Sequence, residues 1–293
     1  MKKILFGAIC LLMMAGCKSL KVVDQNAAVN AGVAAAQALT ISDSQITQLC
    51  KEYMQETDGE NTVLPANNEY TQRLKRIMGK FKNISSLNVN YKVYQSKTVN
   101  AFACGDGSIR VYSGLMDVMD DDELFAVIGH ELGHLKNKDI RDAYRTAYLI
   151  VAARYGIAAY NQTAGAIATG FLGDLGQQIA SNAYSRKQEY EADEASFQYC
   201  VSNGVDPFAM YRALNVLIRL NGSSSTQSSV AQMFSTHPDS SKRATRIKEM
   251  AEAAGYKMGS AASSSSSNTT GGTSTGGSTP TVKPKTNTVK PKQ

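Results

Sequence analysis

The spacing of apolar residues changes along the chain, and each change marks an element. Residues 26–39 are Ala-rich and read as a helix; 43–54 read as a second, with Ser42 or Asp43 at its N-cap. From 69 to 81, Leu74, Ile77, Met78 and Phe81 recur at helical spacing. The period then drops to two. Leu87, Val89, Tyr91 and Val93 alternate with polar residues, as on a half-buried strand. Residues 100–104 and 108–112 predict two further short strands joined by the hairpin signal Gly105-Asp106-Gly107. Four acids, Asp120 to Glu123, open the next helix, where they complement the macrodipole. Its apolar face is Leu124, Val127, Ile128, Leu132 and Leu135, and Asn137 or Lys138 ends it. Residues 146–180 are Ala/Gly-rich, but Arg154 and Asp174 interrupt any apolar span of about 20 residues, so they predict packed helices and not a membrane hairpin. A helix follows over 186–201, closed by Asn203-Gly204. Asp206-Pro207 opens another, as N-cap and first-turn proline, running to Leu220. Residues 223–229 read as a polar loop, and a last helix spans 239–254. The sum is an α+β fold, mainly α, with a small sheet beside the helix that starts at 120.

Composition sharpens this picture at the two ends. The chain has 293 residues, 43% hydrophobic and 8% aromatic, which suits a globular protein with a sizeable core. The net charge of +6 suggests nucleic acid or an anionic surface until its distribution is read. Lys2 and Lys3 lie in the first 17 residues, and Lys283, Lys285, Lys290 and Lys292 in the last 35, where no acid occurs. Residues 18–258 are therefore balanced in charge, and no nucleic-acid partner is expected. The start, MKKILFGAICLLMMAGC, has a basic pair and an apolar run too short to span a bilayer, which is the pattern of an export signal. Its Met14-Ala15-Gly16-Cys17 ending resembles a bacterial lipobox. That resemblance implies a signal peptide over 1–16, lipid modification of Cys17 and attachment to a membrane. Lys18 after the cysteine favours the outer membrane, facing the periplasm. Residues 17–64 then form the anchor and an N-terminal helical segment, and 259–293 a Ser/Gly/Thr/Lys-rich tail too polar to offset its ordering entropy. Cys50, Cys104 and Cys200 remain beyond the leader. Three thiols allow one bridge at most, and the sequence does not choose the pair.

The chemistry concentrates in His130-Glu131-Leu132-Gly133-His134. On a helix the two imidazoles project from one face about 6 Å apart, the separation that a shared zinc ion needs. Glu131 lies about 100° round, beside the metal, placed to take a proton from water. The chain has only three histidines, so the pairing is hard to ascribe to chance. A third ligand is required. Histidine is nearly used up, and helix 186–201 offers Glu189, Glu191, Asp193 and Glu194. Glu189 and Asp193 share a face at i, i+4 spacing. Helical geometry alone leaves Glu191 and Glu194 open.

HELGH, then SRKQEYEADEASFQYC, then STHPDSSKRATRIKEM resembles metallopeptidase family forty-eight, which contains the HtpX and CAAX prenyl proteases. NAFACGDGSIRVYSGLMDVM is similar to that family's strand and turn over the active site. The resemblance covers about residues 65–255, and the metallopeptidase domain is expected over 65–258. It implies a zincin-like (gluzincin) domain binding one Zn2+ per chain through His130, His134 and Glu189. It further implies Glu131 as catalytic base and Asp193 as the residue that orients a ligand imidazole. By the same resemblance His237 and Arg243 contact substrate or the oxyanion, and His237 is in some members an inhibitory fourth ligand. The strand Asn100, Ala101, Phe102 and Ala103 is implied to hold substrate by strand addition. The expected function is a zinc metalloendopeptidase acting on unfolded or envelope proteins, with an assembly factor of weak or latent activity as the alternative. The oligomeric state is left open.

Overall fold

A computed structural model describes residues 25–160 and 183–258. The leader with Cys17, residues 161–182 of the Ala/Gly-rich stretch and the tail from 259 lie outside the described residues. The chain forms α1 (Gln25–Thr40), α2 (Asp43–Glu60), α3 (Glu69–Met78), β1 (Asn90–Tyr94), β2 (Ala101–Ala103), β3 (Ser108–Tyr112), α4 (Ser113–Val118), α5 (Asp121–Asn137), α6 (Asp139–Tyr160), α7 (Arg186–Asn203), α8 (Ala209–Asn221), α9 (Gln227–Thr236) and α10 (Ser240–Ala253). The class is α+β and mainly helical, as expected.

The sheet order is β1-β3-β2, so the expected hairpin places β2 at an edge. β1 runs parallel to β3, and β2 antiparallel with Phe102 opposite Arg110. Tyr112 N–H donates to Asn100 O and Cys104 N–H to Ser108 O. By the alternation of an antiparallel ladder, Ala101 and Ala103 therefore turn their backbone groups away from β3, toward the free edge.

Helix ends follow their sequence signals. Capping boxes start α2 (Ser42 with Gln45), α5 (Asp120 with Glu123) and α7 (Ser185 with Gln188). Lys138, at φ 63°, and Gly204, at φ 70°, end α5 and α7 in the left-handed conformation. Several details depart from the sequence reading. The strand expected from Leu87 starts at Asn90, the helix expected to 81 ends at Met78, and α4 was not expected. α2 runs on to Glu60 because Met54 and Thr57 continue its buried face. α8 starts at Ala209, since Asp206 bonds the Phe208 N–H within a preceding turn. Residues 227–236 form α9, where no helix was expected; it buries only Val230 and Met233, too few apolar positions to show a period.

α5 is the axis of the domain. Residues 123–134 are all buried, not one face alone, while Leu135 is only half-buried. One core lies around α5, α3, the sheet, α8 and α10, with Leu74, Ile77, Val93, Ile109, Phe125 and Leu214. A second joins α1, α2 and α6 through Ala34, Ile46, Cys50, Tyr144 and Val151. No helix among the described residues is long and apolar enough to cross a membrane.

α7 approaches α5 unusually closely. A Cβ on Gly133 would stand 2.9 Å from Ala192 Cα and 3.0 Å from Ala195 Cβ; one on Gly129 would stand 3.3 Å from Ser196 Cα. Ser196 Oγ then donates to Ala126 O at 2.6 Å across the seam. Gly133→Val must push the helices apart and is expected to destabilise the fold by about 3 kcal/mol, the upper range for overpacking. A lowered urea midpoint at unchanged slope checks this; an unchanged midpoint would mean that the seam has room.

Candidate metal centre

The α5–α7 seam brings together the groups that the sequence pattern singled out. His130 and His134 sit one turn apart on α5, and their Nε2 atoms face each other at 3.1 Å. Glu189, in the first turn of α7, lies with Oε1 3.4 Å from His134 Nε2 and Oε2 3.6 Å from His130 Nε2. His237, at the C-terminal end of α9, brings Nδ1 to 3.0 Å from Glu189 Oε1 and 3.3 Å from His130 Nε2. One ligand atom from each of these four residues lies within 4.8 Å of all the others, and all four are buried. Glu191 and Glu194 are exposed and border a separate polar groove with Lys82 and Lys136. Helical geometry alone left these two open, and neither belongs to the four-residue cluster.

The outer nitrogens of both α5 imidazoles are held by carboxylates. His130 Nδ1 lies 2.9 Å from Asp193 Oδ1, and His134 Nδ1 lies 2.7 Å from Asp139 Oδ2. These contacts fix each ring so that Nε2 points to the centre. The sequence pattern pointed to Asp193 but not to Asp139. Asp139 is the first residue of α6, brought back under His134 by the left-handed turn at Lys138; an acid directly after the helix end was the available signal. Tyr184 was also missed. Its ring stacks on His134 with centroids 3.9 Å apart, and its N–H donates to Thr236 O.

Arg243 reaches the cluster from α10 and is 1% exposed. Its Nε and Nη2 donate to the two oxygens of Asp193 at 2.8 and 2.6 Å, and its Nη1 meets Glu189 Oε2. Glu131 lies beside the centre. Its Oε2 accepts the Ala103 N–H at 3.1 Å, and its Oε1 is buried without a hydrogen-bond partner. A cavity of about 140 Å³ opens here, bounded by Asn100, Ala101, Phe102 and Ala103 on one side and by Glu131, Tyr184 and His237 on the other. Arg243 is not among the residues that line it.

Burial makes this cluster electrostatically tense. Burial, and after it the Arg243 charge, push the His130 imidazole down to about 3, which leaves a lone pair free for a metal. Burial opposes charge on His134, yet hydrogen bonds donated to Asp139 and Glu189 raise it to about 9. Burial also opposes charge on Glu189, but bonds from His134 and His237 hold it well below the carboxylate range. Burial opposes charge on Asp193, yet the Arg243 charge, together with hydrogen bonds from Arg243 and His130, lowers it. Burial raises Glu131, against the pull of His237 and His134. Facing imidazole nitrogens, an ionised carboxylate and a rigid outer ring of carboxylates form a donor set that fits a divalent cation.

Two histidines and a carboxylate that converge beside a buried glutamate at the edge of a cavity define the site of a metal-dependent hydrolase. Known proteins narrow that class. The profile of Peptidase family M48 matches residues 65–251. Metalloprotease LoiP of Escherichia coli (strain K12) is 37% identical over 246 residues, 84% of this chain and 94% of that protein. Metalloprotease YcaL of the same organism is 36% identical over 238 residues, 81% and 92% of the two chains. A crystal structure of S. mikatae Ste24p superposes at TM-score 0.42 with 17% identity, over 64% of this chain and 51% of that one, too distant to argue from. The chain belongs to peptidase family M48, and it is a metallopeptidase.

Proposed function

We propose that this protein is a zinc metalloendopeptidase of the cell envelope, anchored by lipid at Cys17, that cleaves unfolded or misfolded exported proteins. The observation that carries the reading is Glu131 Oε1, a buried carboxylate oxygen without a hydrogen-bond partner, on a residue that lies beside the His130–His134–Glu189 donor set and lines the cavity along β2. The catalytic domain occupies residues 65–258. His130, His134 and Glu189 hold the metal. Zinc suits two imidazoles and a carboxylate, and when bound it supplies the Lewis acidity that acidifies water and polarises a carbonyl.

The chain's own groups divide the remaining work. Glu131 takes the proton of the attacking water at Oε1 and later delivers it to the leaving amine. Its raised proton affinity suits both transfers. An extended substrate pairs with the outward backbone groups of Ala101 and with the Ala103 carbonyl, the Ala103 N–H being held by Glu131, and Asn100 and Phe102 border the same cavity. This selects unfolded segments, because a folded chain offers no free strand to the edge. His237 donates to the substrate carbonyl oxygen as negative charge develops there. Asp193 and Asp139 position the two imidazoles. Arg243 holds Asp193 and Glu189 apart from each other, and so acts through them on the site.

A second reading has its own observation: His237 is close enough to Glu189 and His130 to complete a four-donor set. In that reading the enzyme is latent until His237 withdraws, and an assembly role with weak proteolysis fits it.

Glu131→Gln is expected to keep about one zinc per chain and lose casein hydrolysis by about 10³-fold or more; elemental analysis beside the protease assay checks both, and undiminished hydrolysis would remove Glu131 from the mechanism. His237→Ala is expected to slow turnover about 100-fold as an oxyanion donor, whereas a gain in activity would favour the latent reading. Cys17→Ala is expected to abolish palmitate labelling in cells; labelling at wild-type level would refute the anchor.

A further inference from the structure

Among the described residues, Cys50, Cys104 and Cys200 are all buried and unbridged, but they are not equivalent. Cys200 packs in the core around α5. Cys50, on α2, and Cys104, directly after β2, belong to the other core, beneath α1 and α6. The Gly105 N–H donates to Cys50 Sγ at 3.0 Å, and that nitrogen is one bond from the Cys104 carbonyl carbon. A side chain at 105 would leave no room for this approach: its Cβ would stand 2.8 Å from Ile46 Cγ2 and 3.2 Å from Cys50 Sγ. The Tyr144 hydroxyl also lies 3.6 Å from Cys50 Sγ.

We propose that Cys50 and Cys104 are joined by a disulfide in the oxidised protein, which staples α2 to the end of edge strand β2, and that Cys200 stays a free thiol. The inference does not depend on the metal or on the proteolytic reading. Cys50 is the thiol poised to ionise. The Cys104 thiol stabilises its thiolate more than burial opposes it, with help from Tyr144 and Gly105. Cys104 is raised well above an ordinary thiol by its bond to Cys50 and then by burial. Burial pushes Cys200 up to about 12, with no thiol beside it. Cys104 also lines the site cavity, which gives a small oxidant a path to the pair.

The oxidant is a disulfide, such as oxidised glutathione or a dithiol oxidase. A protein thiolate attacks one of its sulfurs and displaces one thiol, forming a mixed disulfide. The second protein thiolate then attacks the protein sulfur of that bond and displaces the other thiol. The pair loses two electrons and two protons, and the oxidant's S–S bond becomes two thiols. The bridge bears on the site through one short segment. Ala103, adjacent to Cys104, gives its N–H to Glu131. A staple at 104 therefore fixes the register of the substrate edge against the catalytic base.

The test uses the full chain, incubated with oxidised glutathione, alkylated after denaturation and digested with trypsin without reductant. The expected product is peptide 22–51 linked to peptide 98–110, with the alkyl group on Cys200 in peptide 188–212. The oxidised protein is expected to melt about 5–10 °C above the reduced one. Cys104→Ser should erase that difference and Cys200→Ser should keep it. Alkylation of all three cysteines, a bridge that contains Cys200, or equal melting temperatures for the two forms would each overturn the proposal. Peptide mapping on the wild type decides the pairing even where a variant fails to fold.

Discussion

The contact between α5 and α7 is the constraint on which the site depends. Gly129 and Gly133 face Ala192 and Ser196, and no larger pair of surfaces would let the helix backbones approach so closely. Glu189 and Asp193 lie one turn apart on the same face of α7 and are carried to His130 and His134 by this approach. The glycines also weaken α5 as an isolated helix. Burial of its whole middle by the sheet, α7 and α8 offsets that loss, which is why residues 123–134 are enclosed on every side.

Such enclosure is costly for ionisable groups unless each finds a partner. The structure answers with graded pairings. Arg243 neutralises Asp193 and touches Glu189; Asp193 and Asp139 hold the outer imidazole nitrogens. Toward the centre two imidazole nitrogens face each other, and beside them Glu131 Oε1 stays without a hydrogen-bond partner. Stability and function therefore pull on one set of residues. The outer pairs keep the charges tolerable, and the inner mismatch is what a cation and a water would relieve.

The edge strand joins this cluster to the rest of the chain. β2 is three residues long, yet it is fixed at three points: by β3 along its ladder, by Glu131 at Ala103, and by Cys50 through the Gly105 N–H. A short strand held at three points is ordered in advance, so any contact made with it costs little further ordering entropy. α2 has a second hold on the sheet, where Asp58 takes both Arg110 and Tyr94. The N-terminal helices are thus part of the wall behind the groove.

Much of the site was legible in the sequence because its logic is local. The i, i+4 spacing of His130 and His134 on a capped helix, and of Glu189 and Asp193 on another, follows from helical pitch whatever packs around them. The strand-turn-strand over 100–112 and most helix ends were equally local, since caps and turn glycines act within a few residues. Asp139 was marked only as an acid directly after a helix end, and Tyr184 by nothing in the pattern. Each meets His134 only after a chain reversal or a loop, and no periodicity links them to it. α9 escaped because it buries two side chains, too few to leave a period. The choice among three cysteines was likewise beyond the sequence, since Cys50 and Cys104 meet only when α2 packs on the end of β2. The sequence determined which groups can do the chemistry; the tertiary structure decided which of them meet, because contact across distant segments depends on how closely the backbones pack, and pattern along one segment does not encode that.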